Sequence, residues 1–160
     1  VYDLDVLRQA SLFRSLSDEQ LAAIVELGQF IRVRQGTRLF VEGEEGDALY
    51  VVLAGRVRIS TASAGGPEHV LAICGPGEVF GEIALLTGEP RSATATAADD
   101  CDLFALSRAA FDQYIVRDVG IMQELMRALA ERQAEYNLAL RRAREASDNA
   151  AGGKVITVYS

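Results

Sequence analysis

Glu82 and Arg91 stand nine positions apart in the stretch Phe80-Gly81-Glu82-Ile83-Ala84-Leu85-Leu86-Thr87-Gly88-Glu89-Pro90-Arg91-Ser92-Ala93-Thr94. Between them lie a short apolar run, Ile83 to Leu86, and a Gly88-Glu89-Pro90 turn. Four apolar residues are too few for an independent helix. One helical turn there would present unpaired N–H groups around Ile83 and Ala84, and such groups attract an anion. Arg91 returns toward that turn with a planar, permanently charged fork that matches phosphate. Ionised Glu82 accepts hydrogen bonds and repels phosphate, so it suits a sugar hydroxyl. One anion and one hydroxyl partner describe a nucleotide cradle.

The flanking sequence sets the elements that must hold this stretch. Leu4, Leu7, Ala10 and Leu12-Phe13 recur at helical spacing. Ser17 and Gln20 form a capping-box pattern ahead of Leu21, Ile24 and Leu27, and Gly28 ends that helix. From Phe30 the period changes to two. Phe30–Arg34, Leu39–Val41, Leu49–Leu53, Val57–Thr61 and His69–Cys74 read as strands broken by glycine turns. Ser92–Ala97 and Cys101–Leu106 follow the central stretch. The count is about eight, so the fold class is mainly β with flanking helices: a double-stranded β-helix, or jelly-roll, with N-terminal helices and a long C-terminal helix. Gly43, Gly46, Gly55 and Gly77 are assigned to turns that need positive φ. Ser107 caps a further helix with Phe111, Tyr114 and Ile115 on its apolar side. A longer helix from Asp118 toward Ser147 carries Met122, Leu125, Leu129, Arg132, Tyr136, Ala139 and Ala143 at steps of three and four. At about 30 residues it would run ~45 Å, too long for so small a domain to cover. It either pairs with a partner helix or ends in solvent.

The stretch from Phe80 to Thr94 resembles the phosphate-binding cassette of cyclic nucleotide-binding domains, the family of catabolite activator proteins, kinase A regulatory subunits and cyclic-nucleotide-gated channels. The likeness rests on Phe80-Gly81-Glu82, the aliphatic Ile83, the small Ala84, Leu85, and Pro90-Arg91-Ser92-Ala93-Thr94. It extends through Gly36, Gly43, Gly46-Asp47, Leu49-Tyr50 and Gly55, and covers roughly residues 10 to 135. The resemblance implies cyclic AMP (cAMP) or cyclic GMP as regulatory ligand, with Ser92 leaning toward cAMP. It implies that Arg91 pairs the cyclic phosphate, helped by the N–H groups of Ile83, Ala84 and Ala93 and the Ser92 hydroxyl. Glu82 and the Gly81 backbone would hold the ribose 2′-hydroxyl. Val70, Leu71, Val79 and Leu85 are expected to line the pocket. Arg132, then Tyr136, are expected to close over the base, and the long helix is a candidate homodimer axis.

The expected organisation is an N-terminal helical segment at 1–29, the roll at 30–106 with the cassette at 80–94, C-terminal helices at 107–149, and a linker at 150–160. Lys154 to Ser160 reads as a strand opening a further, truncated domain, and Val1 in place of Met reads as a fragment. The net charge of −7 argues against a general nucleic-acid or membrane surface. No apolar run approaches the ~20 residues that span a bilayer. With Cys74 and Cys101 set in apolar runs, the reading is cytoplasmic, with reduced thiols favoured over a disulfide. His69 alone cannot build a jelly-roll metal site, and no catalytic motif is present. The expectation is therefore a non-enzymatic, metal-free sensor relaying to an output domain outside this chain. The alternatives are a ligand-free scaffold or dimerisation module and, more remotely, a jelly-roll enzyme.

Overall fold

The structure is a computed structural model and describes residues 4–14, 16–62 and 66–152, with some helix side chains left outside that description. Helix α1 (Leu4–Arg8), a 3-10 turn (Ser11–Phe13) and α2 (Asp18–Leu27) open the chain. The capping box forms: Gln20 N donates to Ser17 Oγ at 3.1 Å, and Ser17 N to Gln20 Oε1 at 2.9 Å. Gly28 caps the end of α2 in extended conformation, its N–H donating to Ile24 O at 3.1 Å, and a side chain there would strike the Phe104 ring, 2.1 Å from its ideal Cβ.

Eight strands follow: β1 (Gln29–Val33), β2 (Arg38–Phe40), β3 (Ala48–Ala54), β4 (Val57–Ala62), β5 (Glu68–Cys74), β6 (Val79–Phe80), β7 (Thr94–Ala97) and β8 (Cys101–Ser107). They pair antiparallel in two four-stranded sheets, ordered β1-β8-β3-β6 and β2-β7-β4-β5. This is the mainly β roll with flanking helices read from the sequence. The inner strands of the first sheet, β3 and β8, are buried on both faces. Leu49, Val51, Phe104 and Leu106 turn to the helices, while Val52, Cys101 and Leu103 turn into the roll. Double burial explains why β3 and β8 read as nearly unbroken apolar runs. The second sheet leaves Val70 and Ile73 of β5 about half exposed.

Helix α3 (Glu82–Thr87) lies between β6 and β7. After β8, Ser107 caps α4 (Arg108–Ala110), accepting from Ala110 N at 3.2 Å, and the chain continues as a π turn, Phe111–Ile115. Asp118 Oδ1 then accepts from Ile121 N at 3.0 Å and starts α5 (Val119–Gly152), which passes the 3-10 turn and β5. Ile121 and Leu125 are its buried anchors, with Met122 partly covered. The packed face therefore begins one residue ahead of the expected seam. The linker expected at 150–160 is corrected at its start: α5 runs through Ala150 and Ala151 to Gly152. Extending a formed helix through alanines costs little. The strand read at Lys154–Ser160 lies outside the described residues.

Cys74 and Cys101 are buried in the roll and are not joined in a disulfide. Burial pushes the Cys101 thiol up, and its Sγ donates to the carbonyls of Arg56 and Asp99. Among the described residues, no helix is long and apolar enough to cross a membrane, and no three His, Cys, Asp or Glu side chains gather to hold a metal.

Candidate functional site

The sequence places a charged pair where the roll interior meets α3. Glu82 and Arg91 are 2% and 3% exposed, although carboxylates and guanidiniums are rarely buried without partners. The backbone fixes Arg91 first. Its N–H donates to Glu44 O at 2.7 Å, and its carbonyl accepts from Gly43 N at 2.8 Å, zipping this segment to the β2–β3 loop. The side chain then reaches inward. Nη1 donates to Gly81 O and Nη2 to Ala48 O, both at 2.7 Å, and the guanidinium lies 3.9 Å from the Phe40 ring centroid. Phe40, Tyr50 and Phe80 pack together beneath it, with the rings of Tyr50 and Phe80 stacked at 5.1 Å.

Burial pulls the Arg91 pKa down, opposed by the nearby charges of Tyr50, Asp47 and Glu82. Asp47 Oδ1 stands 3.7 Å from Nη2, longer than a hydrogen bond. Nε is buried with no hydrogen-bond partner. The guanidinium is thus held mainly by neutral carbonyls and a ring face, with Nε unspent. Burial also raises the Tyr50 phenol, reinforced by Asp47.

Glycines make this close packing possible. Gly81 sits at φ +82° as the N-cap of α3, and a Cβ there would lie 3.0 Å from Arg91 Nη1. Since Gly81 offers no side-chain cap, the first-turn N–H groups of α3 face the cleft without one. Gly46 corrects a sequence expectation. It has no positive φ, unlike Gly43, Gly55 and Gly77. Its requirement is closeness: a Cβ would come 2.4 Å from Ala84 Cβ and 3.4 Å from Arg91 Cζ.

The cleft is lined by Phe40, Ile59, Gly81, Glu82, Ile83, Ala84, Arg91, Ser92 and Ala93. Seven residues singled out in the sequence therefore come together: Gly81, Glu82, Ile83, Ala84, Arg91, Ser92 and Ala93. The four expected pocket walls do not join them. Val79 and Leu85 pack in the helix-side core, because adjacent strand residues face opposite ways and Phe80 takes the roll side. Leu71 packs in the roll interior, and Val70 is half exposed. The side chains of Arg132 and Tyr136 lie outside the described residues. Sequence reading missed Phe40 and Ile59, which look like ordinary strand residues. It also missed Arg108, whose Nη2 donates to Gly46 O at 2.9 Å and Ala84 O at 3.4 Å. The enclosed part of the cleft holds about 20 Å³, room for a single water, and the rest opens to solvent.

Residues 30–118 match the family model described as Cyclic nucleotide-binding domain. The chain is 37% identical over 134 residues to the Cyclic AMP receptor protein of Thermus thermophilus, covering 84% of this chain and 62% of that protein. The crystal structure of the Thermus thermophilus catabolite activator protein superposes with a TM-score of 0.72 at 37% identity, over 84% of this chain and 63% of that one. The regulatory domain of Toxoplasma gondii PKA, co-crystallised with cAMP, superposes with a TM-score of 0.64 at 38% identity, over 69% and 42% of the two chains. The chain spans less than two thirds of the length of these relatives.

Proposed function

The chain belongs to the cyclic nucleotide-binding domain family, and from that premise we propose that it is a regulatory sensor for a cyclic mononucleotide, cAMP in preference to cyclic GMP. The observation that carries this reading is Arg91: buried, held by carbonyls, with Nε unpaired beside the first turn of α3. A 3′,5′-cyclic phosphate supplies the missing anion, with the Ser92 hydroxyl and the N–H groups of Ile83, Ala84 and Ala93 as further donors. It also leaves the ribose 2′-hydroxyl free for Glu82. The similar proteins named for cAMP support the choice of base, as does Ser92 at the position where cyclic GMP binders of the family often carry Thr. Calorimetric titration tests both parts. Failure of cAMP to bind overturns the site, and cyclic GMP binding at least tenfold tighter overturns the preference.

The narrow cleft favours a second reading, a ligand-free roll that only scaffolds or dimerises, and the same titration decides between them. In the sensor reading the nucleotide selects the state in which the cleft is open and α5 closes over the base. Residues 1–29 and 107–149 then serve as helical flanks to the roll at 30–106. Arg132 is the first candidate for the lid and Tyr136 the second, since a flat guanidinium stacks on a purine. Arg132→Ala accordingly speeds release of a fluorescent cAMP analogue in stopped flow and leaves the on-rate nearly unchanged. Release unchanged in both Arg132→Ala and Tyr136→Ala removes α5 as the lid. Beyond the roll, α5 relays occupancy to an output domain outside this chain and forms a homodimer. Val119 and Met126, a heptad apart and both more than half exposed, support that pairing, which light scattering tests.

A further inference from the structure

Three consecutive carbonyls, Gly46 and Asp47 at the end of the β2–β3 loop and Ala48 at the start of β3, accept hydrogen bonds from two arginines. Gly46 O accepts from Arg108 Nη2 at 2.9 Å, Asp47 O from the Arg108 backbone N–H at 2.9 Å, and Ala48 O from Arg91 Nη2 at 2.7 Å. Each guanidinium also reaches the other side of the cleft. Arg91 bonds Gly81 O, ahead of α3, and Arg108 bonds Ala84 O, inside α3, at 3.4 Å. The same design thus occurs twice: one fork, one carbonyl of the 46–48 run, one carbonyl of the α3 segment. Gly46 presses directly on Ala84 between them. The two cations are close enough for Arg108 to depress the Arg91 pKa.

Resting on the sensor reading above, we infer that Arg108 is a positioning residue of the anion site, and that its fork makes the first residue of α4 a structural part of the α3 cleft. Arg108 opens the C-terminal helices, while Arg91 meets the ligand. A phosphate that draws on Arg91 and the α3 N–H groups pulls on α3 and, through Arg91, on the start of β3. Arg108 holds both α3 and the loop end that leads into β3. Any displacement of α3 therefore reaches the start of α4, and through the π turn the start of α5. Arg108 does not touch the nucleotide in this scheme; it sets where α3 and the loop stand.

The test compares the parent with Arg108→Gln and Arg108→Lys by amide hydrogen exchange, without nucleotide and with saturating cAMP, alongside calorimetry. Without nucleotide, Arg108→Gln speeds exchange at 46–48 and 82–87 while β1 and β8 stay protected. With nucleotide, it loses the change in exchange that the parent shows at 108–121, and its cAMP affinity falls by about tenfold, as for a lost charged hydrogen bond. Arg108→Lys keeps the charge and falls between the two. Exchange accelerated evenly across the domain marks a merely structural residue and overturns the inference, as does an unaltered response at 108–121. Should Arg108→Gln fail to fold, Arg108→Lys carries the same comparison. Should the parent not bind cAMP, the sensor reading fails, and the clamp stands or falls on the nucleotide-free exchange at 46–48 and 82–87.

Discussion

Strand β7 has an arginine site at each end. Arg91 lies just ahead of its first residue. Just past its last residue, Asp99 meets Arg56 in a two-pronged pair, Nε to Oδ2 at 2.8 Å and Nη2 to Oδ1 at 3.2 Å. The groups are alike in type and opposite in setting. The Arg56 and Asp99 side chains are 62% and 40% exposed, and each perturbs the other: hydrogen bonding from Arg56 holds the Asp99 carboxyl below its usual range, and Asp99 raises the guanidinium. Arg91 is sealed in, its pKa drawn down by burial, its forks spent on neutral carbonyls. An exposed pair already has its anion and contributes little. A buried cation with a longer ion pair and an unpartnered Nε is what the proposed anion site rests on. Surroundings, and not residue type, separate a surface ornament from a candidate site.

The comparison breaks first at Arg91. Arg91→Ala should weaken cAMP by about 2–4 kcal/mol, roughly 30- to 1000-fold, in calorimetry, while Arg56→Ala leaves affinity unchanged. Equal effects from the two would end the distinction. Next come the glycines at the two ends. A Cβ on Gly46 meets Ala84, and one on Gly55 comes 2.4 Å from Asp100 O. Each Gly→Ala change should cost about 1–3 kcal/mol in urea unfolding, as overpacking does. Only Gly46→Ala should also reduce nucleotide affinity. Glu82→Ala should cost less than Arg91→Ala, about tenfold, because its proposed partner is a neutral hydroxyl. With 2′-deoxy-cAMP that loss should vanish, and its persistence would show that Glu82 serves Arg91 and not the ribose.

The smallest effect belongs to Asp99. Its folded pKa lies below the unfolded value, so its contribution to stability is full above the ordinary carboxylate range and disappears as pH falls through the lowered pKa. Melting temperatures of Asp99→Asn and the parent should differ slightly at neutral pH and converge in acid. A gap that widens in acid would contradict the sign.

What could be read from the sequence is what lies contiguous in it. The 80–94 stretch carries its acid, its base, its glycines and its short helix within one run, so the types alone suggested the cleft. Ser17 with Gln20, and Ser107, announced helix starts through local bonds, and those bonds form. Contacts between distant segments left no such mark. Phe40 becomes the platform for Arg91 only when β2 crosses beneath it. Arg108 joins the cleft because β3 and β8 pair Ala48 with Ser107, a register invisible in one dimension. Gly46 was legible as a glycine and not as a contact, since a turn and a close approach ask for the same residue. Val79 was misplaced because a two-residue strand is too short to show its alternation.

The loop clamp reads backbone oxygen, which every residue carries. Its demands on heredity are therefore uneven. Substitutions at Asp47 and Ala48 leave their carbonyls in place, so those positions can drift as far as the clamp is concerned. Gly46 accepts a Cβ only if Ala84 shifts, and neither arginine has a shorter substitute that spans both carbonyls. In a saturation library selected for nucleotide binding, tolerance along 46–48 should rise abruptly after the glycine, and the two arginines should be retained together although only Arg91 is proposed to meet the ligand.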